Sequence, residues 1–76
     1  MAELLAHLAR QLVDDPDAVE VEEVRQDGAT VLQLRVAKDD VGKVIGRQGR
    51  IARALRAIVR AGGARQRRRL VLEIAD

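Results

Sequence analysis

Apolar positions near the start of the chain follow helical spacing and then the alternation of a strand. Four leucines within residues 3–13 fall on one helical face, which predicts a helix. This helix is expected to end before Pro16, because the residue preceding a proline avoids the helical region. Val19, Val21 and Val24 then predict a first strand, and the doubled glutamate before Val24 indicates a slip or bulge near its end.

Turn residues divide the middle of the chain into a strand, a short helix and a break. Asp27–Gly28 is a dipeptide typical of a β-hairpin turn, and residues 30–36 alternate as a second strand. Asp40 is expected to cap a short helix over residues 41–45 by accepting hydrogen bonds from its first free amides. The glycines of residues 46–49 then interrupt the helical pattern.

The end of the chain predicts a longer helix and a final strand. The helix is expected over residues 50–61 and is expected to end at Gly62–Gly63, before a basic loop over residues 64–68. Residues 70–74 alternate as a third strand. Four arginines lie opposite the apolar face of this helix, namely Arg50, Arg53, Arg56 and Arg60.

The element order α-β-β-α-α-β predicts an α+β fold. One domain over residues 1–76 is expected, because a chain of 76 residues has no room for a second. The first two strands form an antiparallel hairpin, and the third returns after two helices to lie parallel to its neighbour. The expected structure is a three-stranded mixed sheet with three helices packed on one face. The other face is expected to meet water through Glu20, Glu22, Gln33, Arg35 and Glu73.

Composition excludes several classes of protein. The chain has no Cys, Ser, Tyr, Trp, Phe or Asn and a single His, so nucleophilic triads and thiolate zinc sites are excluded and no enzyme is expected. Domains that stack bases on aromatic platforms are excluded as well. The lack of cysteine and of any apolar run long enough to span a bilayer predicts a cytoplasmic protein. No metal, cofactor or small-molecule substrate is expected.

Charge is divided unevenly along the chain. Residues 1–40 carry ten acidic and four basic side chains, a net charge of −6, whereas residues 41–76 carry ten basic and two acidic ones, a net charge of +8. Such asymmetry favours a polyanion as the partner of the basic part. Solvated arginines, or a contact with an acidic protein, would produce the same distribution.

The segment Val41–Ile51 carries the most informative motif. Gly46 and Gly49 lie between two helical segments, so the backbone of this turn can approach another molecule closely. The helix that follows presents free amides and the positive end of its dipole, which favour a phosphodiester group. A plain corner between two helices would also place glycines here. The polar side chains of the segment are Lys43, Arg47, Gln48 and Arg50, and its apolar surface comes from Val41, Val44 and Ile45.

The stretch V-I-G-R-Q-G-R-I, set after a strand and between two helices, resembles the I-G-x-x-G signature of KH domains. The element order is similar to the type II, bacterial arrangement of that fold. The resemblance to small bacterial stand-alone KH proteins, the KhpA-like family, extends over residues 1–76. It rests on the leucine-rich helix, the segment V-D-D-P-D-A-V-E-V, the hairpin and the last strand.

This resemblance implies a groove that holds about four nucleotides of single-stranded RNA or DNA, with the G-x-x-G loop clamping the backbone. The strand over residues 32–36 is expected to form the floor of the groove. Carried over by position, the implied RNA-binding residues are Gly42, Lys43, Val44 and Ile45 before the loop, Gly46, Arg47, Gln48 and Gly49 within it, Arg50, Ile51 and Arg53 after it, and Arg65, Arg67 and Arg68 in the variable loop between the last helix and the last strand.

The resemblance also implies a cellular role and partners. Proteins of this kind are RNA chaperones or post-transcriptional regulators linked to cell-envelope and cell-length control. A homodimer, or a heterodimer with a larger KH-containing, KhpB-like protein, is implied in addition to single-stranded RNA. The alternative is a protein-interaction subunit that docks such a partner and contacts RNA only secondarily.

Three other motifs are weaker. Gly42-Lys43 has part of a phosphate-binding Walker loop, but Val44 stands where that motif needs Ser or Thr. The aspartates within residues 14–17 lack the spacing and the distal glutamate of an EF-hand, so a turn-forming role is favoured over a cation site. His7 has no second His or Cys to share a metal, so a surface or structural role is favoured.

Overall fold

The predicted element order is present in the computed structural model, which describes residues 1–75. The helices are α1 (Ala2–Leu12), α2 (Val41–Ile45) and α3 (Arg50–Arg65), and the strands are β1 (Glu20–Gln26), β2 (Ala29–Arg35) and β3 (Leu70–Ala75). Short 3-10 turns lie at Pro16–Ala18, Lys38–Asp40 and Arg47–Gly49. The chain therefore alternates between a helical layer and a single sheet.

The sheet has the order β1-β2-β3, with β2 in the middle. β1 and β2 are antiparallel, and the turn between them places Asp27 at φ 50° and Gly28 at φ 79°. Two consecutive left-handed residues match the right-handed twist of a hairpin, as the Asp-Gly pair predicts. β3 lies parallel to β2, with Thr30 opposite Leu70. The predicted mixed, three-stranded sheet is confirmed.

The core lies between the inner face of the sheet and the helices. α1 buries its small apolar side against β1 and β2, while Leu32 and Leu34 of β2 are completely buried. Val44 of α2 and Val59 of α3 cover the core on its helical side, and both have almost no exposure. The remaining members of this cluster are Leu5, Ala6, Ala9, Val19, Leu55, Leu70 and Leu72.

The opposite face of the sheet is polar, as the alternation predicts. Gln33 donates from Nε2 to Oε1 of Glu73 at 3.3 Å, across the β2–β3 pair. Arg35 Nη2 lies 3.8 Å from Oε2 of Glu22, across the β1–β2 pair. Both contacts are exposed, so each contributes little to stability.

The predicted slip near the end of the first strand is wrong. β1 and β2 pair without interruption from Glu20 opposite Arg35 to Gln26 opposite Ala29. The regular register places Val24 opposite Val31, and Val31 in turn lies opposite Val71. Val31 is buried yet lies outside the core cluster, because this short row of valines packs on the polar face of the sheet.

The predicted end of the long helix at Gly62–Gly63 is also wrong, because α3 continues to Arg65. A Cβ atom on Gly63 would lie 2.6 Å from the carbonyl oxygen of Arg68 and 2.9 Å from Cγ of Leu70. Glycine is therefore needed here so that the chain entering β3 can pass close to the helix. None of the helices among residues 1–75 is both long enough and apolar enough to cross a bilayer.

Candidate nucleic-acid interface

The loop Gly46–Gly49 turns the chain sharply between α2 and α3. Gly46 has φ 76° and ψ 172°, and Gly49 has φ 74° and ψ 17°. The first conformation is essentially restricted to glycine, and the second is left-handed, which favours glycine. The loop is closed by the amide of Gly49, which donates to the carbonyl of Gly46 at 3.1 Å. Its outer residues, Arg47 and Gln48, are exposed.

Arginines surround this loop and are not neutralised by acids. Arg53 donates from Nη2 to the carbonyl oxygen of Gln48 at 2.7 Å, which anchors the loop to the first turns of α3. Arg50 reaches Oε1 of Gln48 at 3.5 Å. Within residues 1–75, Arg47, Arg50 and Arg53 form no ion pair with a carboxylate. Their positive charge is available to an anion at the loop.

Lys43 is arranged differently from these arginines. Its ammonium donates to Oδ2 of Asp14 and, at 3.2 Å, to Oδ1 of Asp40. The hydrogen bond to Asp14, and next that to Asp40, raise the pKa of Lys43 above its ordinary value of 10.5. The charge of Lys43 is therefore already compensated by two carboxylates.

Asp40 was expected to cap α2, and this expectation is wrong. Its side chain makes no capping hydrogen bond to α2, and the residue is 3% exposed. Oδ2 of Asp40 instead accepts a hydrogen bond from the amide N–H of Asp15 at 3.0 Å, and Oδ1 accepts one from the ammonium of Lys43. Burial acts to raise the pKa of Asp40, but the amides of Asp15 and Asp14 and the Lys43 ammonium together hold it below the ordinary 3.8.

A basic cleft runs beside α3, along the free edge of β3. Its volume is about 330 Å³, and it is lined by Arg56, Arg60 and Arg69 together with residues 70–72. Among residues 1–75 β3 pairs with β2 alone, so its other edge is open, and residues 70–72 of this strand line the cleft. The cleft therefore combines arginines on both sides with apolar side chains and an open strand edge, which suits a flexible polyanion carrying flat bases.

A protein-family model described as KhpA/KhpB, KH domain, matches residues 2–74. The chain belongs to this family. It is 47% identical over 76 residues to RNA-binding protein KhpA of Halalkalibacterium halodurans, with full coverage of both chains. It is 53% identical over 74 residues to RNA-binding protein KhpA of Treponema pallidum, covering 97% of this chain and 92% of that one. These relatives are named for RNA binding and not for catalysis.

The KH fold is also found in a solved structure, Era from Aquifex aeolicus. The likeness has a TM-score of 0.63 at 18% identity and covers 96% of this chain but 28% of the Era chain. At that identity the likeness concerns the fold alone. The predicted type II KH fold, with a mixed three-stranded sheet and three helices, is confirmed by the family and by the architecture.

The structure places most of the implied residues of this KH domain around one loop. Gly42, Lys43 and Ile45 are exposed on α2, and Ile51 is half-buried beneath Gly46. The exposed apolar surface before the loop comes from Ile45 and, in part, from Val41.

Two expectations about the lining of the groove are wrong. Val44 was expected to present apolar surface to a base, but its exposure is 0% and it belongs to the core. The strand over residues 32–36 was expected to form the floor, but β2 is the central strand, and Leu32 and Leu34 are both at 0% exposure. Leu32 and Leu34 are covered by the helices, and both edges of β2 are paired, so this strand offers no floor on the helical side of the sheet. The strand that borders the cleft is β3.

The variable loop lies at the far end of α3, about 24 Å from the Gly46–Gly49 loop at 1.5 Å per helical residue. α3 ends in a Schellman motif, in which the amide of Arg68 donates to the carbonyl of Gly63 at 2.8 Å and Arg67 has φ 55°. Arg68 also donates from Nη2 to Oγ1 of Thr30 at 3.2 Å, which ties the loop to β2. Arg65 and Arg67 are exposed.

The implied site did not include the residues that line the cleft. Arg56, Arg60 and Arg69 border it, and the two arginines of α3 lie in sequence between the Gly46–Gly49 loop and the variable loop. The signal was present in the sequence, because Arg53, Arg56 and Arg60 recur three and four positions apart and so share one flank of α3. Helical spacing does not predict which strand lies beside that flank, because this depends on the order of strands in the sheet.

The weaker motifs do not form sites among the described residues. No group of three or more His, Cys, Asp or Glu side chains in residues 1–75 is placed to hold a metal ion, the aspartates of residues 14–17 included. His7 is exposed on α1.

Proposed function

We propose that this KH domain binds single-stranded RNA along the α3–β3 cleft and clamps the RNA backbone at the Gly46–Gly49 loop. One observation carries the proposal. Uncompensated arginines surround the glycine loop before α3, and further arginines of the same helix line the cleft beside β3. Relatives at 47% to 53% identity that bear the name RNA-binding protein KhpA support the same class of ligand.

The loop suits a phosphodiester group for steric and electrostatic reasons. Gly49 has no atom within 4 Å of the position a Cβ would take, so a phosphate can approach its backbone without obstruction. Arg47 and Arg50 can form charge-assisted hydrogen bonds to phosphate oxygens. Gln48 can donate a further hydrogen bond from its amide. These contacts read the backbone and not the base sequence.

The cleft offers limited means to distinguish bases. Residues 70–72 line the cleft at the open edge of β3, so the free backbone groups there can meet base edges. The chain has no aromatic residue, so bases gain little from stacking on the protein. We propose a sequence-tolerant protein of modest affinity, as suits an RNA chaperone or a post-transcriptional regulator. The link to cell-envelope and cell-length control stays a prediction.

The test is fluorescence anisotropy of a short single-stranded RNA at several salt concentrations. Three to five bound phosphates predict a slope of log K against log[salt] of roughly −2 to −3.5, at about 0.7 per phosphate. The double variant Arg47→Asp/Gln48→Asp should lose binding while its circular dichroism spectrum stays that of a folded protein.

The chain supplies a matched control for this variant. Arg10 and Gln11 are also an exposed Arg-Gln pair, and Arg10 lines a cleft beside β1, at the other edge of the sheet. Arg10→Asp/Gln11→Asp changes the charge by the same amount and should leave binding nearly intact. Equal losses in both variants, or no RNA binding by the wild type, would count against the clamp.

A second candidate function is docking of a protein partner, in a homodimer or in a heterodimer with a larger KH-containing, KhpB-like protein. It is favoured by large apolar side chains left exposed on the helices. Leu4 and Leu12 of α1 are 46% and 36% exposed, and Ile58 of α3 is 40% exposed. Ile58 lies on the flank of α3 away from Arg56 and Arg60, so such a partner would leave the RNA cleft free.

Sedimentation velocity separates this candidate from the first. A dimer at micromolar concentration that is lost in Ile58→Gln, with RNA binding per chain retained, would support docking beside RNA binding. A chain that stays monomeric over the whole concentration range would remove the homodimer. A partner-only role predicts docking with no RNA binding at any salt concentration.

A further inference from the structure

Lys43 joins two segments of the chain that are distant in sequence. Its ammonium contacts the carboxylate of Asp14, 29 residues earlier, and that of Asp40 at the start of α2. Asp40 accepts in turn the amide of Asp15 at 3.0 Å. The connection between α1 and β1 is therefore fastened to the first turn of α2 through a single lysine and a single buried aspartate.

The burial of Asp40 makes this arrangement depend on Lys43. The side chain of Asp40 is 4% exposed, whereas that of Asp14 is 82% exposed. A buried carboxylate that loses its only paired cation is strongly disfavoured, and the surrounding backbone moves to hydrate it. The segment closest to such a movement is α2, which has only five residues and leads directly into the Gly46–Gly49 loop.

α2 and the loop are connected by hydrogen bonds as well as by sequence. The amide of Gly46 donates to the carbonyl of Gly42 at 2.9 Å, and the amide of Gly49 donates to the carbonyl of Gly46 at 3.1 Å. A shift of α2 is therefore passed to the loop. Arg53 holds the α3 end of the loop through the carbonyl oxygen of Gln48, whereas the end at Gly46 is held by its hydrogen bond to α2.

We propose that Lys43 is a positioning residue for the clamp and that it does not itself bind an RNA phosphate. The inference rests on the proposed function, because it concerns the same loop. Held between Asp14 and Asp40, the ammonium fixes α2 and so the geometry in which Arg47 and the loop backbone meet RNA. This positioning role replaces the direct RNA contact that the KH resemblance implies for Lys43.

The first test removes the ammonium and measures RNA binding against salt. Lys43→Met should bind roughly five-fold more weakly, because a smaller fraction of molecules holds the competent loop, but its salt slope should equal that of the wild type. If Lys43 bound a phosphate, Lys43→Met would instead make the slope shallower by about 0.7. Lys38→Met is the matched control, because Lys38 is exposed and forms no ion pair within residues 1–75.

The second test frees the ammonium without removing it. If Asp14 withholds Lys43 from RNA, Asp14→Asn should tighten binding and steepen the slope by about 0.7. If Lys43 positions the loop, Asp14→Asn should bind no more tightly than Asp17→Asn. Asp17 lies in the same connection, is exposed and has no ion-pair partner within the described chain, so its variant accounts for the general effect of losing one acid.

The third test does not depend on RNA. Amide hydrogen exchange of Lys43→Met should quicken at Gly46 and Gly49 while the amides of β2 keep their protection, which a general loss of stability would not produce. Unchanged exchange at these two glycines overturns the proposal. A salt dependence of RNA binding that is shallower in Lys43→Met than in the wild type overturns it as well. If the wild type binds no RNA, the proposed function fails, and the exchange result alone then decides whether Lys43 positions the loop.

Discussion

The side chain of Ile51 fills the space that a Cβ atom on Gly46 would need. Such a Cβ would lie 2.7 Å from Cγ1 of Ile51 and 3.0 Å from its Cβ. The first turn of α3 thus packs directly on the backbone of the loop. The glycine serves two purposes here, since it also adopts φ 76° with ψ 172°, a combination that other residues avoid.

Replacing this glycine should therefore damage both stability and binding. Gly46→Ala is expected to lower the free energy of unfolding by about 1–3 kcal/mol, because alanine is strained in that backbone region and its methyl group collides with Ile51. Urea denaturation followed by circular dichroism measures the change. RNA binding should fall further than the unfolded fraction explains, since the loop must move to relieve the collision.

The chain offers a neighbouring glycine as the control. Gly42 has open space around the position of a Cβ and lies within α2. Gly42→Ala should raise the free energy of unfolding by roughly 0.5–1 kcal/mol, because alanine favours the helix. Equal stability of Gly46→Ala and the wild type would show that Ile51 does not depend on this glycine.

The arginines of the cleft should contribute to RNA affinity through charge. Arg56→Gln/Arg60→Gln is expected to reduce the steepness of the salt dependence by about 1.4, at about 0.7 for each phosphate that is no longer bound. The fold should be unaffected, because both side chains are exposed on α3. Salt titrations of RNA anisotropy measure the slope.

A matched pair of arginines lies at the other edge of the sheet. Arg10 and Arg25 are exposed on α1 and β1 and form no ion pair among residues 1–75. Arg10→Gln/Arg25→Gln removes the same charge and should leave the slope unchanged. If both double variants alter the slope equally, the arginines act through net charge alone and the α3–β3 cleft is not the path of the RNA.

Acid should destabilise the protein partly through Asp40. Burial acts to raise the pKa of this carboxyl, but the amides of Asp15 and Asp14 and the Lys43 ammonium hold it below 3.8. A carboxylate with a lowered folded-state pKa stabilises the fold above its unfolded pKa, and the contribution disappears as the pH falls through the folded-state value. The free energy of unfolding should therefore decline below pH 3.8.

Removing the carboxylate should flatten this decline. Asp40→Asn is expected to be less stable than the wild type at pH 7 and to lose less of its stability between about pH 5 and pH 2.5. Urea midpoints across that range test the expectation. Asp17→Asn, which removes an exposed carboxylate without an ion-pair partner in residues 1–75, should follow the wild-type curve. A wild-type curve for Asp40→Asn would contradict the assigned role.

Local rules predicted most of the fold, and long-range packing accounts for the errors. Asp27–Gly28 gave the hairpin because two left-handed residues are a property of the turn itself. Gly63 was misinterpreted as the end of a helix, since its real constraint is the carbonyl of Arg68 on a chain segment that returns to the sheet. The doubled glutamate before Val24 was interpreted as a slip, whereas Val24 pairs with Val31 on the other face of the sheet, a partner that spacing alone does not identify.

The candidate site also has a part that local sequence predicts and a part that depends on long-range packing. The Gly46–Gly49 loop could be located from sequence, because its glycines satisfy backbone needs within four residues. The wall of the cleft could not, since the choice between β2 and β3 depends on which strand ends at the edge of the sheet. The pairing of Lys43 with Asp14 was likewise hidden, because 29 residues separate them.

The variable loop provides a last test, in which stability and binding should change in opposite directions. Arg67 occupies a left-handed position, φ 55°, in the Schellman motif that ends α3, where glycine is the usual residue. Arg67→Gly is expected to raise the free energy of unfolding by about 0.5–1 kcal/mol, because it relieves the left-handed backbone. The same change should weaken RNA binding, since it removes an exposed arginine at the far end of the cleft.

Arg67→Ala separates the two effects. It removes the same charge but keeps a Cβ in the left-handed position, so its RNA affinity should match that of Arg67→Gly while its stability stays near that of the wild type. Thermal melts should place Arg67→Gly several degrees above Arg67→Ala, at about 4–8 °C for each kcal/mol in a domain of this size. If Arg67→Gly gains stability and keeps full RNA affinity, the strained arginine has no part in binding. If both variants lose affinity equally and only the glycine variant is stabilised, the protein retains a strained residue because RNA binding requires its charge.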